Sequence, residues 1–466
     1  MKRTRTVFFV CLLLTEISFL DAQTFSQFTN NLKIKALEII LYENDTKISK
    51  NNIDKAKSIN DIKVKLAGDF FHIKNNQLGT MSFFQLDTSG INTSVRVEKF
   101  FSYTGTSFFL DTFLNNTTYK KNENVIYNNV YEPTISLRVQ QPLLYNSFGS
   151  INKYVIQKAK TTHQISRIKE KINTRILLNY YSKLYFERLT YKNIIEFFKQ
   201  NLKNTQSLYV QTKEKAQKGL LDYDDVEKAL SATLQLKIKL IDAEGYLQSI
   251  EDEIKKQVSI SNSNITELNL FFEKSTNFYY ENIPFEETQN GKMLLLIKTD
   301  AQENQNIAKN KKQPELNFFA NVEYKNSFGN SILNSYPEIA DPGFMIGLEL
   351  KDPFGNSFKK TELEEAKLEL REKDLEYRLA EDAYNLKIKK ILASINLYKK
   401  SYNIKVKNMI SLIKREKIEK AKYETGRLGL SFLIITENEI INAKIDMASL
   451  KSKLIQLYLD YFLIIF

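Results

Sequence analysis

The sequence predicts a mainly helical protein with two β-rich segments, built as two similar halves. Three observations carry that fold class. First, the seven prolines leave two long runs without any, 143–283 and 354–466. Proline breaks a helix interior because it lacks an N–H and clashes with the preceding turn, so such runs, rich in Leu, Ile, Lys and Glu, are candidates for very long helices. Second, each run carries a glycine break, at Gly219 in the first and at Gly426 and Gly429 in the second. Third, landmarks recur in the same order at nearly one offset: Pro142 and Pro353 are 211 residues apart, Asn146-Ser147-Phe148 and Asn356-Ser357-Phe358 are 210 apart, and Gly219 and Gly426 are 207 apart. A constant offset of this kind marks an internal repeat, here 23–283 followed by 284–466.

The first 22 residues read as a secretory signal. Lys2, Arg3 and Arg5 form a basic start, Val7–Leu14 a short apolar core, and Ala22 a small residue before cleavage. Cys11, the only cysteine, sits in that core, so the mature chain is predicted to have no disulfide and no thiolate chemistry.

The first half then reads as a helix over 27–60, with Leu32, Ala36, Leu37, Ile40 and Leu41 at helical spacing. A β segment follows at about 62–141. Within it Ile91, Thr93, Val95 and Val97 alternate with polar residues, as do Ile135, Leu137 and Val139. The spacing of Ile165, Ile168, Ile172, Ile176, Tyr180, Leu184, Ile194, Phe198 and Leu202 predicts one long amphipathic helix over 150–217. At 1.5 Å per residue it would be about 100 Å long, too long to fold on itself, so it must pack lengthwise against other helices. After Gly219 a second helix covers 222–258. The second half repeats the order: a helix at 287–311, a β segment at 314–352 with strands over 315–325 and 344–350, and helices over 358–424 and 430–464.

Several function classes are excluded. The formal charge of +12 could suit nucleic acid, but the lysines lie beside glutamates along helices, as on a solvated face, and an exported chain meets none. The only two histidines, His72 and His163, are far apart and offer no metal-ligand spacing. No nucleophile–base pair and no Gly-rich phosphate loop stands out, so the chain is not read as an enzyme and no cofactor is implied. The apolar end Leu454–Phe466 is short and carries Asp460; it reads as a buried helix end, not a membrane span.

Strands apolar on one face and polar on the other suit a soluble sheet with core on one side. They equally suit a transmembrane barrel with lipid outside and water inside. The signal segment, and the lack of a separate domain to cover the apolar faces, favour the barrel. A few strands cannot close one alone, because an open edge in lipid leaves backbone groups unpaired. A barrel therefore requires several copies.

Two pairs of motifs carry a family resemblance. Gln141-Pro142-Leu143-Leu144-Tyr145-Asn146-Ser147-Phe148-Gly149, with a weaker counterpart in Asp352-Pro353-Phe354-Gly355-Asn356, resembles the strand-to-helix segment of the TolC-like outer membrane efflux proteins. Lys218-Gly219-Leu220-Leu221-Asp222-Tyr223-Asp224-Asp225-Val226 and Tyr423-Glu424-Thr425-Gly426-Arg427-Leu428-Gly429-Leu430-Ser431-Phe432-Leu433 resemble the two periplasmic tips of that family. The resemblance implies a homotrimer in the outer membrane, each copy giving about four strands to a twelve-stranded β-barrel continued by a helical coiled-coil tunnel through the periplasm. It implies a passive exit duct, with outer-membrane lipid around the barrel. A periplasmic adaptor and an inner-membrane pump of RND, ABC or MFS type would dock at the tips, around Gly219, Leu220, Leu221, Gly426, Arg427, Leu428 and Gly429. The leucines fit either adaptor docking or plain helix packing. A structural or adhesive coiled-coil surface protein is the alternative class.

The sequence departs from the family pattern in two ways. The first β segment is far longer than the second and holds an extra hairpin around Tyr103-Thr104-Gly105-Thr106. Where the family places a ring of aspartates past the second tip glycine, this chain has Phe432 and Ile435, with Glu437 the nearest acid. A tunnel gate here would be apolar. The resemblance also implies a closed-state latch between Tyr423 and Asp225. Tyr423 equally suits a packing gap, and Asp225 a first-turn carboxylate favoured by the helix dipole.

Overall fold

The structure, a computed structural model, describes residues 24–74, 87–119, 129–259, 265–278, 280–281, 283–326, 328–329, 342–351 and 357–465. The signal segment and the motif at 352–356 lie outside the described residues. Eight α-helices are described: α1 (Phe25–Lys35), α2 (Leu37–Lys57), α3 (Ser150–Gln217), α4 (Tyr223–Lys255), α5 (Thr266–Asn277), α6 (Gln289–Lys311), α7 (Ser357–Glu424) and α8 (Leu430–Ile465). The strands are β1 (Ile62–Lys74), β2 (Asp87–Phe101), β3 (Thr106–Tyr119), β4 (Asn129–Pro142), β5 (Glu315–Lys325), β6 (Phe328–Gly329) and β7 (Gly343–Lys351). The described residues form two compact units, one within 24–45, 167–293 and 378–465, the other within 46–166 and 294–377. Each unit draws on both halves of the sequence.

The first unit is helical. Thr24 caps α1 with a reciprocal box: its Oγ1 accepts from the Gln27 N–H at 3.3 Å, and the Gln27 side chain accepts from the Thr24 N–H at 3.0 Å. The single helix predicted over 27–60 is instead two. Ala36, extended at ψ 120°, separates α1 from α2. No proline or glycine marks this break; it coincides with complete burial of Ala36 in the core. That core joins Phe25, Phe28 and Leu32 of α1 to Leu177, Tyr181, Tyr185, Phe186 and Leu189 of α3, Ile250 and Ile254 of α4, and Ile455 of α8. Phe28 stacks on Tyr185 at 4.9 Å between ring centroids. A second cluster of Ile194, Ile195, Phe198, Leu236, Ala243, Ile441 and Ala448 continues it. Arg188, buried at the α3–α4 contact, donates to Glu251 at 2.7 Å, so its charge is paired.

The sequence placed Ile176 and Tyr180 on the apolar stripe of α3; within the single chain both are about half exposed (50% and 47%). The helix carries two apolar stripes one residue apart, and the packing within the chain uses the one through Leu177, Tyr181 and Tyr185. α5 was not predicted. The segment after it is held by the Tyr384 hydroxyl donating to the Ile283 carbonyl at 2.5 Å and by the Tyr461 hydroxyl donating to that of Glu281. Burial, with the nearby Tyr384 and Glu281, pushes the Tyr461 phenol up to about 12.

The second unit is built on one antiparallel sheet in the order β1-β2-β3-β4-β5-β7, with β6 paired beside β5 on β4. The resemblance implied four strands per copy; the sheet has six long ones, four from the first half and two from the second. The hairpin anticipated around Tyr103–Thr106 is the turn between β2 and β3. The strands predicted at 91–98, 134–140, 315–325 and 344–350 lie in β2, β4, β5 and β7.

The register keeps each face continuous across all six strands. Leu66 pairs with Val95, Val97 with Leu110, Leu110 with Leu137, Leu137 with Val322, and Val322 with Phe344. On the opposite face lie Lys63, Lys65, Arg96, Glu98, Asp111, Arg138, Glu323, Glu349 and Lys351. Arg96 grips Asp111 there with two hydrogen bonds of 2.5 and 3.2 Å. The apolar face is open: Leu66, Phe344, Leu348 and Leu350 are each at least 65% exposed. Among the described residues, no helix is long and apolar enough to cross a membrane.

Candidate functional site

The two helical turns singled out in the sequence share one construction. At the end of α3, the Gly219 N–H donates to the Ala216 carbonyl and the Leu220 N–H to that of Lys215, both at 2.9 Å. At the end of α7, the Gly426 N–H donates to the Tyr423 carbonyl at 3.0 Å and the Arg427 N–H to that of Lys422 at 2.9 Å. Each is a Schellman cap closed by a left-handed glycine, at φ +70° and +69°. A Cβ at either glycine would meet nothing within 4 Å, so conformation and not space calls for glycine. Beyond the first cap, Asp224 and Asp225 sit in the first turn of α4, and Asp225 lies 3.6 Å from Lys228 Nζ.

The tip leucines separate by environment. Leu220 is 69% exposed, Leu221 and Leu428 are half-buried, and Leu430 is buried in helix packing. Gly219, Gly426, Arg427 and Gly429 are exposed. The two turns meet through the Lys215 ammonium, 5.1 Å from the centroid of the Tyr423 ring. Within the chain no hydrogen bond joins Tyr423 to Asp225.

Past the second turn, Phe432 and Ile435 are about half exposed (54% and 49%) while Leu433 and Thr436 are buried. Glu437 is half-buried on the same helix, and burial pushes its carboxyl up, reinforced by Glu416 and opposed by Lys420. A polar knot that sequence reasoning missed ties α7 to α8 here. The buried Thr436 hydroxyl donates to Glu419 at 2.5 Å, and Arg415 bridges Glu419 at 2.8 Å and Glu439 at 2.9 Å. Only the Arg415–Glu419 spacing of four could have signalled it. The Glu419 carboxyl is held below the usual range: burial opposes this, but the Thr436 and Arg415 hydrogen bonds outweigh it. No group of residues able to hold a metal ion occurs among the described residues.

No protein-family model matches the sequence, and no curated protein is similar to it in sequence. Solved structures are similar in fold. The outer membrane protein VceC from Vibrio cholerae superposes with a TM-score of 0.69 at 11% identity, over 95% of each chain. CusC, described for its transmembrane channel formation, gives 0.69 at 9% identity, over 97% of this chain and 95% of its own. The Campylobacter jejuni CmeC outer membrane channel gives 0.67 at 11% identity, over 97% and 89%.

The chain has the fold of the TolC-like outer membrane channels.

That likeness extends over 95–97% of the chain. At such low identity it carries the TolC-like backbone and not the side chains, so the roles of Phe432, Ile435, Glu437 and the tip residues rest on their own geometry.

Proposed function

We propose that the chain is a passive outer-membrane export duct, the exit channel of a tripartite efflux or type I secretion system. In this reading three copies share one barrel, surrounded by outer-membrane lipid, and their long helices form a tunnel in the periplasm. The chain is read as two repeats, 23–283 and 284–466, each supplying strands, a 68-residue helix (α3 or α7) and a capped turn. The observation that carries the proposal is the sheet: six strands with one unbroken apolar face, left exposed, and two unpaired edges, in a chain with a TolC-like fold. A soluble protein would cover such a face.

Residues left outside the packing of the single chain support association along the helices. Leu379, Leu386, Leu397 and Ile404 of α7, and Ile176 and Tyr180 of α3, are exposed. We assign the exposed tips, with Leu220 and Arg427 foremost, to docking of a periplasmic adaptor and an inner-membrane pump. Phe432 and Ile435 line the narrowest point of the tunnel, where an apolar ring gates by dewetting, and Tyr423 and Asp225 latch neighbouring helix pairs. A coiled-coil surface protein would account for the helices but not for the sheet. Purification decides: the duct gives heat-resistant trimers in detergent with strand signal and discrete conductance steps in planar bilayers, whereas a helical rod soluble without detergent overturns it.

A further inference from the structure

We propose that the barrel is closed by β1 of one copy pairing with β7 of the next, so that each copy contributes six strands and three copies make an eighteen-stranded barrel. The inference rests on the shared-barrel reading above and adds to it the seam and the strand number.

Four observations carry it. First, β1 and β7 are the two ends of the sheet: β2, β3, β4 and β5 each have a long strand on both sides, while β1 and β7 each have a neighbour on one side only. In lipid, unpaired edge groups must find partners, and a second copy offers the matching edge. Second, the strand number is even. Every pair in the sheet is antiparallel, so β1 and β7 run in opposite directions. Head-to-tail addition of a second sheet therefore continues the antiparallel alternation; an odd number would break it.

Third, β1 and β2 belong to the same apolar band as the rest. Ile62, Val64, Leu66 and Phe70 lie on the face that carries Phe344, Ile346, Leu348 and Leu350, and all eight are exposed. A hairpin folded back outside the bilayer would have no use for that band. Fourth, the two edges complement one another. With apolar faces matched and the helix-side ends of both strands aligned, Lys63 or Lys65 of β1 falls opposite Glu349 of β7, the arrangement that favours a cross-strand pair.

The β2–β3 hairpin adds the third pair of strands, and its turn is fitted to the unit. The Ser102 N–H donates to Asn60 Oδ1 at 2.9 Å, Lys99 Nζ donates to the Asn60 carbonyl, and Gln141 Nε2 donates to the Thr104 carbonyl at 2.8 Å. The hairpin is thus tied both to the segment entering β1 and to the end of β4. Barrel diameter grows roughly linearly with strand number, so eighteen strands would make a lumen about half as wide again as twelve.

Disulfide trapping tests this, since Cys11 is the only native cysteine and Cys11→Ser removes it. In that background Leu66→Cys is combined in turn with Ile346→Cys, Leu348→Cys and Leu350→Cys, and the full-length protein is oxidised in outer membranes. The control combines Leu110→Cys, on β3, with the same three substitutions. Heat-modifiable mobility of each variant verifies assembly. At least one β1–β7 pair is expected to convert most of the protein into covalent dimers and trimers, with no band beyond three, while the β3–β7 pairs stay monomeric. Linkage through β3–β7 alone would overturn the six-strand seam and leave a twelve-stranded trimer. Linkage through neither set in assembled protein would also overturn the seam. A β1–β7 ladder ending at two chains, or linkage only within one chain, would instead overturn the trimeric reading beneath it.

Discussion

Gly105, in the turn between β2 and β3, and Gly149, at the foot of α3, approach backbone to backbone. A Cβ on Gly105 would stand 2.6 Å from the Gly149 nitrogen, and one on Gly149 would stand 2.2 Å from the Ser102 carbonyl oxygen. Both residues are left-handed, at φ +75° and +66°. This contact seats the β2–β3 hairpin on the strand-to-helix junction. Gly105→Ala or Gly149→Ala should cost on the order of 2 kcal/mol or more, combining left-handed strain with a clash that backbone atoms cannot evade. The check is the temperature at which the detergent-resistant oligomer dissociates, which should fall for both variants and hold or rise for Gly245→Ala, a glycine inside α4 with open space around it.

The knot behind the second tip makes a distinct prediction. Thr436→Val keeps the volume but leaves Glu419 without its buried donor, at a cost of about 1–2 kcal/mol. Because the Glu419 carboxyl is held below its ordinary range, the stability it contributes is present above the ordinary glutamate pKa and is lost as the pH falls through the lowered value. Hydrogen exchange over 415–440 should quicken in Thr436→Val at neutral pH, and in the native protein only under acid conditions.

Glu437 titrates in the opposite sense. Burial raises its pKa, so its charge is unfavourable in the folded protein and is relieved as the pH falls through the raised value towards the ordinary one. In that window Glu437 turns neutral while exposed glutamates stay charged. Cation preference in planar bilayers should therefore fall at mildly acid pH, and Glu437→Gln should flatten that step.

Tyr423→Phe keeps the aromatic ring under Lys215 and removes only the hydroxyl. If that hydroxyl latches a neighbouring Asp225, conductance of the isolated channel should rise; unchanged conductance would show that Tyr423 only packs.

An apolar constriction makes its own forecast. The native channel should show weak block by divalent cations, and Phe432→Asp or Ile435→Asp should strengthen that block and raise cation preference. Strong native block that maps to Phe432 or Ile435 would contradict an apolar gate.

Much of the architecture was legible before the structure. The helix predicted over 150–217 is α3, and that over 358–424 differs from α7 by one residue at its start. Proline and glycine punctuation places such boundaries well because both residues act on the backbone itself. Other features left no such mark. The break at Ala36 depends on burial and not on residue type. β3 escaped because Phe109 and Phe113 share the polar face with Asp111, which blurs its alternation. β1 starts where the β segment was placed and alternates from Ile62 to Leu66, but its lysines kept it from standing out as a separate strand. The tip glycines were readable, whereas the Thr436–Glu419 contact joins residues seventeen apart across a turn and exists only once the helices pack.

The shared pore is the central claim, and the native mass of the detergent-purified protein, taken with single-channel recording of the same sample, tests it most directly. A mass of three chains per conducting unit is predicted, with conductance lost when heat separates the chains. A monomer whose own chain covers Leu66, Leu348 and the rest of the apolar face would contradict it.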